Sequence, residues 1–159
     1  MSFEKENFLR TRLVRHLQQL DSSTPPRWGK MNVLQMIEHY TNEAVRIASG
    51  QAHVEKIVTA PERLPAFRDF MMSDRPFKEN TANPILPEEP RTPRHHTVQA
   101  AIGVLHEELI YFFAVFASDP RLITRHPIFG DLNFEENVQL LYKHALHHLK
   151  QFGVEPMNT

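Results

Sequence analysis

A chain of 159 residues, 41% apolar and 23% charged, has the length and composition of one domain built around one core. Its formal charge of −1 comes without basic runs, so there is no electrostatic footprint for nucleic acid or for an anionic membrane, and both partner classes are set aside. The absence of cysteine excludes disulfides, a thiol nucleophile and thiolate metal ligands, which leaves His, Asp and Glu to hold any metal.

The opening residues, MSFEKENFLRTRL, alternate charged and apolar side chains and lack the continuous apolar stretch of a signal peptide or membrane span, so a cytoplasmic location is expected. Apolar spacing predicts a first helix over 3–20, with a stripe of Phe8, Leu9, Leu13, Leu17 and Leu20, stopped by the run Asp-Ser-Ser-Thr-Pro-Pro. A second helix is predicted over 32–49, with Asn32 as N-cap, Gly50 as terminator and a stripe of Val33, Met36, Ile37, Tyr40, Ala44 and Ile47. The third, over 97–118, has the most apolar stripe (Val98, Ile102, Leu105, Leu109, Phe112, Phe116) and ends at Asp119-Pro120. The fourth, over 133–152, has Asn133 as N-cap, Glu135 and Glu136 in its first turn and Gly153 as its close.

Between the second and third helices lie residues 51–96, interrupted by Pro61, Pro65, Pro76, Pro84, Pro87, Pro90 and Pro93, with room for one short helical piece over 62–72. Antiparallel neighbours need only short loops, whereas parallel helices need a crossover that spans their length. The expectation is therefore an all-α single domain over 1–159, a four-helix bundle of up-down-down-up topology with a long crossover between helices two and three. No repeat and no strand-like alternation competes with it.

The histidines carry the chemical signal. His144 and His148, four apart on the fourth helix, project from one face and can close on a single divalent metal. At a turn of ~100° per residue, His148 lies within ~50° of that helix's apolar stripe and His144 at roughly 90° on the same flank. His147 points further round, to the surface or to the rim of the site. A third ligand must come from elsewhere; His39 on the second helix is the best candidate, lying ~110° from its stripe beside Met36 and Glu43.

The remaining residues have plainer readings. His16, His53, His95, His96 and His126 are expected at the surface or in loops, and His106 as a partly buried hydrogen-bonding group. Trp28 reads as a core anchor and Phe112, Phe113 and Phe116 as core; Glu107 and Glu108 read as solvated charges. Glu43 reads the same way, or as a group orienting His39.

The run HALHHLKQ, with His at its first, fourth and fifth positions and Gln at its eighth, resembles the C-terminal metal motif of the DinB-like superfamily. RWGKMNVLQMIEHY, and HPIFGDLNFEEN followed by YKHALHHLKQFGV, resemble motifs of a branch of that superfamily known as a domain of unknown function. The resemblance touches helices two and four and leaves residues 51–96 unmatched. It implies a four-helix bundle of up-down-down-up topology and a divalent metal held by His39, His144 and His148.

Three neutral imidazoles would leave the metal its full charge and at least one open position, as in catalytic zinc sites. Zinc or nickel suits such ligation best, with iron and manganese chemically admissible. Because characterised relatives use low-molecular-weight thiols, the resemblance implies a metal-dependent enzyme, with thiol-dependent S-transfer as the leading chemistry and hydrolysis as another; it names no catalytic residue and no substrate. The alternative is a non-catalytic metal- or small-molecule-binding module. Gln151, Glu43 and Tyr40 are within reach to orient the ligands, residues 51–96 could wall the pocket, and a homodimer through an exposed helix face is a further expectation.

Overall fold

The computed structural model describes residues 3–80 and 86–155; of the crossover prolines, Pro84 lies outside the described residues. Among the described residues the protein is mostly helical, with five helices and one small hairpin. α1 (residues 3–19) and α2 (residues 33–48) each contain a π turn, Phe8–Arg12 and Thr41–Val45 respectively. The remaining helices are α3 (Leu64–Met72), α4 (Val98–Ser118) and α5 (Phe134–Gln151).

Local chemistry sets the ends of these elements. Asn32 caps α2 by accepting from the Gln35 backbone N–H, while the Gln35 side chain accepts from the Asn32 N–H. Asn133 and Glu136 form the same reciprocal box at the start of α5. Thr97 caps α4 through its hydroxyl. At the end of α5 the chain turns left-handed at Gly153 (φ +83°), which lets Val154 N–H donate back to Leu149 O.

The inward stripes meet in one apolar core. Leu9, Leu13 and Leu17 of α1, Val33, Met36 and Ile37 of α2, Leu105, Leu109 and Phe112 of α4, and Val138, Leu141 and Leu149 of α5 are all essentially excluded from solvent. α2 lies against α4, α1 lies against both α4 and α5, and α3 lies on α5. α4 is long and apolar enough to cross a membrane, but its Ile102, Leu105, Leu109, Phe112 and Phe116 are built into this core. Ile47, placed in the apolar stripe by sequence, is only half-buried, because the π turn rotates Val45 and Ala48 inward in its place.

Two features depart from the expectations. A hairpin pairs Thr124–His126 (β1) with Gly130–Leu132 (β2), and three residues per strand are too few to show alternation in a sequence. Its Thr124 hydroxyl donates to Ala48 O and accepts from Asn137, tying the end of α2 to α5. The crossover is also anchored along its length. Lys143 of α5, though buried, donates to the Phe70 and Ser73 carbonyls at the end of α3, and Gln139 donates to Met71 and Ser73. Glu38 of α2 accepts from the backbone N–H groups of Arg94 and His95 and from the His95 ring. Burial alone would raise the Glu38 carboxyl, but those donors outweigh it and hold it below its ordinary value.

Candidate metal centre

α2 and α5 bring His39, His144 and His148 together, with one ligand nitrogen from each within 4.8 Å of the others. Ring centroids are 5.0 Å apart for His39–His148, 5.4 Å for His39–His144 and 4.6 Å for His144–His148. His148 is buried, while His144 and His39 are half-buried on the flanks, as the helical angles predict.

Neighbouring groups fix the rings. His39 Nδ1 lies 3.1 Å from Glu43 Oε1, so with the carboxylate ionised Nδ1 carries the proton, and Nε2 is the nitrogen left to offer a lone pair to a metal. Glu43 is in turn met by Arg91 of the crossover. Burial would raise the Glu43 carboxyl, but the His39 hydrogen bond and the Arg91 charge hold it below its ordinary value. For His148 the logic is tighter. The Gln151 side-chain amide donates to Trp28 O at 2.9 Å, and a carbonyl can only accept, so Gln151 Oε1 faces His148 Nδ1 at 2.8 Å. His148 Nδ1 therefore donates, and its Nε2 also presents a lone pair.

The third ring lies against that lone pair, with His144 Nε2 only 2.8 Å from His148 Nε2. Two nitrogen lone pairs at that distance repel unless a proton or a cation sits between them. At metal–nitrogen bonds of ~2.1 Å, adjacent ligands stand ~3.0 Å apart at a right angle and ~3.4 Å apart in a tetrahedron, so opening the pair by a few tenths of an ångström seats a metal. Burial, with the neighbouring histidines adding to it, pushes the His144 and His148 imidazoles well below the ordinary value of 6.5, so both stay neutral and able to ligate. The donor set of three imidazoles, two held by Nδ1 partners, fits a divalent transition metal.

The surroundings narrow access to the site. Phe77, from the crossover, packs edge-on against both His144 and His147, and Trp28 packs at a tilt against His147 with ring centroids 5.3 Å apart. Residues 51–96 thus supply part of the wall, through Phe77 on one side and Arg91 on the other. Gly29 stands where a Cβ would come within 3.1 Å of Gln151 Nε2, so its lack of a side chain leaves room for the amide that orients His148.

Several residues sit differently from their sequence readings. Tyr40 does not reach a ligand nitrogen; its hydroxyl donates to Leu141 O at 2.7 Å, and the ring supports His144 from the side. His106 is exposed on α4, where it lies on the flank of the core stripe and outside the packed core. His95 is half-buried and bound to Glu38, and His16 is half-buried beside Phe8. Glu108 is half-buried and pairs with Arg46. His126, expected at the surface or in a loop, ends β1 and is half-buried on Phe129, and its Nδ1 accepts from the N–H groups of Ile128 and Phe129. Burial pushes its imidazole down to about 4. His53 and His96 are exposed as expected.

Comparison with family models, with curated proteins and with solved structures finds no match to this chain.

Proposed function

We propose that this chain is a divalent-metal-binding protein of the DinB-like kind, a four-helix bundle of α1, α2, α4 and α5 in up-down-down-up order, with His39, His144 and His148 as ligands. The observation that carries the reading is the convergence of three imidazoles, two of them with Nδ1 already committed to Glu43 and Gln151. Zinc or nickel is the preferred metal, ahead of iron and manganese.

The function that suits this site best is that of a metal-dependent enzyme using a small thiol, a thiol-dependent S-transferase. A bound divalent metal there would lower the pKa of a coordinated thiol or water and so favour the nucleophile at neutral pH. The chain's own residues supply the rest. Glu43 and Gln151 hold the rings of His39 and His148, Tyr40 buttresses His144, and Phe77 and Trp28 form an apolar rim that limits water and suits an apolar electrophile. The close cover of Phe77 over His144 also favours a second reading, in which the metal only ties α2 to α5 in a binding module.

Metal analysis of the purified protein and of His144→Ala, followed by thiol conjugation to electrophiles with and without chelator, tests both readings. Stoichiometric metal lost in the variant, with chelator-sensitive conjugation, is the expected result. Metal without chelator-sensitive conjugation favours the module, and no stoichiometric metal removes both readings.

A further inference from the structure

A second cleft lies on the face of α2 next to the one that carries His39. It has a volume of about 180 Å³ and is lined by Asn42 and Arg46 of α2, Arg94 and His95 at the end of the crossover, and Ala101 and Val104 of α4. At ~30 Å³ for each water of the liquid, that is room for about six waters or one small organic molecule.

The polar groups around it divide into committed and free. Glu38 also lines the cleft, but its carboxylate is saturated by the Arg94 and His95 backbone N–H groups and by His95 Nδ1 at 2.5 Å. Arg46 reaches Asn42 Oδ1 at 2.6 Å and Glu108 Oε2 at 3.2 Å, so its charge is matched by Glu108. What is left over is rich in donors. The Arg94 guanidinium is exposed and makes no hydrogen bond or ion pair among the described residues. Asn42 uses its oxygen for Arg46 and leaves its NH₂ with no partner among them. His95 Nε2, on the edge of the ring away from Glu38, is likewise uncommitted. With the Glu38 carboxylate saturated and the Glu108 charge matched by Arg46, though Glu108 Oε1 has no hydrogen-bond partner among the described residues, the uncommitted charge at the cleft is the Arg94 cation, over a floor of small apolar side chains.

We propose that this cleft binds a small molecule bearing an oxyanion, a carboxylate or a phosphate, gripped by Arg94 and the Asn42 amide with its apolar part against Ala101 and Val104. The pattern follows from the fold. Glu38 pulls the crossover end down onto α2, and that one strap carries Arg94 and His95 to the mouth of the cleft. The guanidinium fork suits a carboxylate and a phosphate equally, so acceptor geometry alone does not choose between them.

The proposal is independent of the metal site and is tested without it. The ¹⁵N-labelled full chain is titrated separately with inorganic phosphate and with acetate to tens of millimolar, reading the Asn42 side-chain amide and the backbone amides of Ala101 and Val104. The same titrations are run on Arg94→Gln and on Arg121→Gln, an exposed arginine elsewhere on the surface that controls for general attraction of anions.

Saturable shifts at those amides with at least one anion, weakened ~tenfold in R94Q and unchanged in R121Q, are expected from loss of one charge-assisted contact. Saturation by phosphate alone assigns a phosphate ligand, and by acetate alone a carboxylate. Absence of saturation by either anion overturns the proposal, as do equal affinities in R94Q and the parent. Because no readout lies on the three metal ligands, failure here leaves the metal reading intact, and the reverse also holds.

Discussion

His126 offers a sharp test of the physical reasoning, because its half-buried ring has Nδ1 already accepting two backbone N–H groups. Protonation in the folded chain would place a charge in a setting stripped of water, which is why the imidazole is pushed down from 6.5 to about 4. As pH falls, the unfolded chain takes up that proton first, so this ring leaves stability untouched above the ordinary value and erodes it between 6.5 and about 4. At ~1.4 kcal/mol for each pH unit, the loss from this one group reaches ~2 kcal/mol near pH 5 and ~3 kcal/mol near pH 4. His126→Asn is the matched variant, since an Asn oxygen can accept from the same turn N–H groups and does not titrate. Urea unfolding of both proteins, freed of metal, should give curves whose difference in stability narrows by ~2 kcal/mol from about pH 7 to about pH 5, with the parent losing more. His144 and His148, which are also pushed down, remain in both proteins and cancel. Parallel pH profiles for parent and variant would refute the assignment of His126 as a neutral acceptor.

Three further outcomes follow from particular contacts. Glu43→Gln removes the carboxylate behind His39 and should weaken metal affinity by ~10- to 100-fold in chelator competition while leaving the fold intact. Gln151→Ala strands both His148 Nδ1–H and Trp28 O in a buried setting and should cost about 1–3 kcal/mol in chemical denaturation without metal. Leu141→Ala empties part of the core beneath Tyr40 and should cost about 2–5 kcal/mol, read from the same denaturation curves.

The helices were legible because each carried its own signals. α5 has an apolar stripe, an Asn133–Glu136 box and Gly153 within twenty or so residues, all of them local. The His144–His148 pair was legible for the same reason, being a spacing on one helix. His39 was not, since no spacing links residues a hundred apart; only its flank position and the family resemblance pointed to it. Glu43 and Gln151 could be named as ligand partners because they lie four and three residues from His39 and His148 on the same helices.

What stayed hidden depends on long-range pairing. The Glu38 strap joins residues 56 and 57 positions apart, and Lys143 meets carbonyls 70 and 73 positions away. Neither a saturated carboxylate nor a capped helix end leaves a trace in hydrophobic periodicity, so His95 read only as a surface or loop histidine and nothing in the sequence marked Lys143. His126 was misread because its partners are backbone N–H groups in a turn, which any sequence could supply.

X-ray absorption spectroscopy of the metal-loaded protein and of His39→Ala tests the central claim most directly. The account predicts scattering from three imidazoles, at ~2.0–2.1 Å if the metal is zinc, with one imidazole lost in the variant. Fewer than three imidazoles in the parent, or the same spectrum in both proteins, would contradict it.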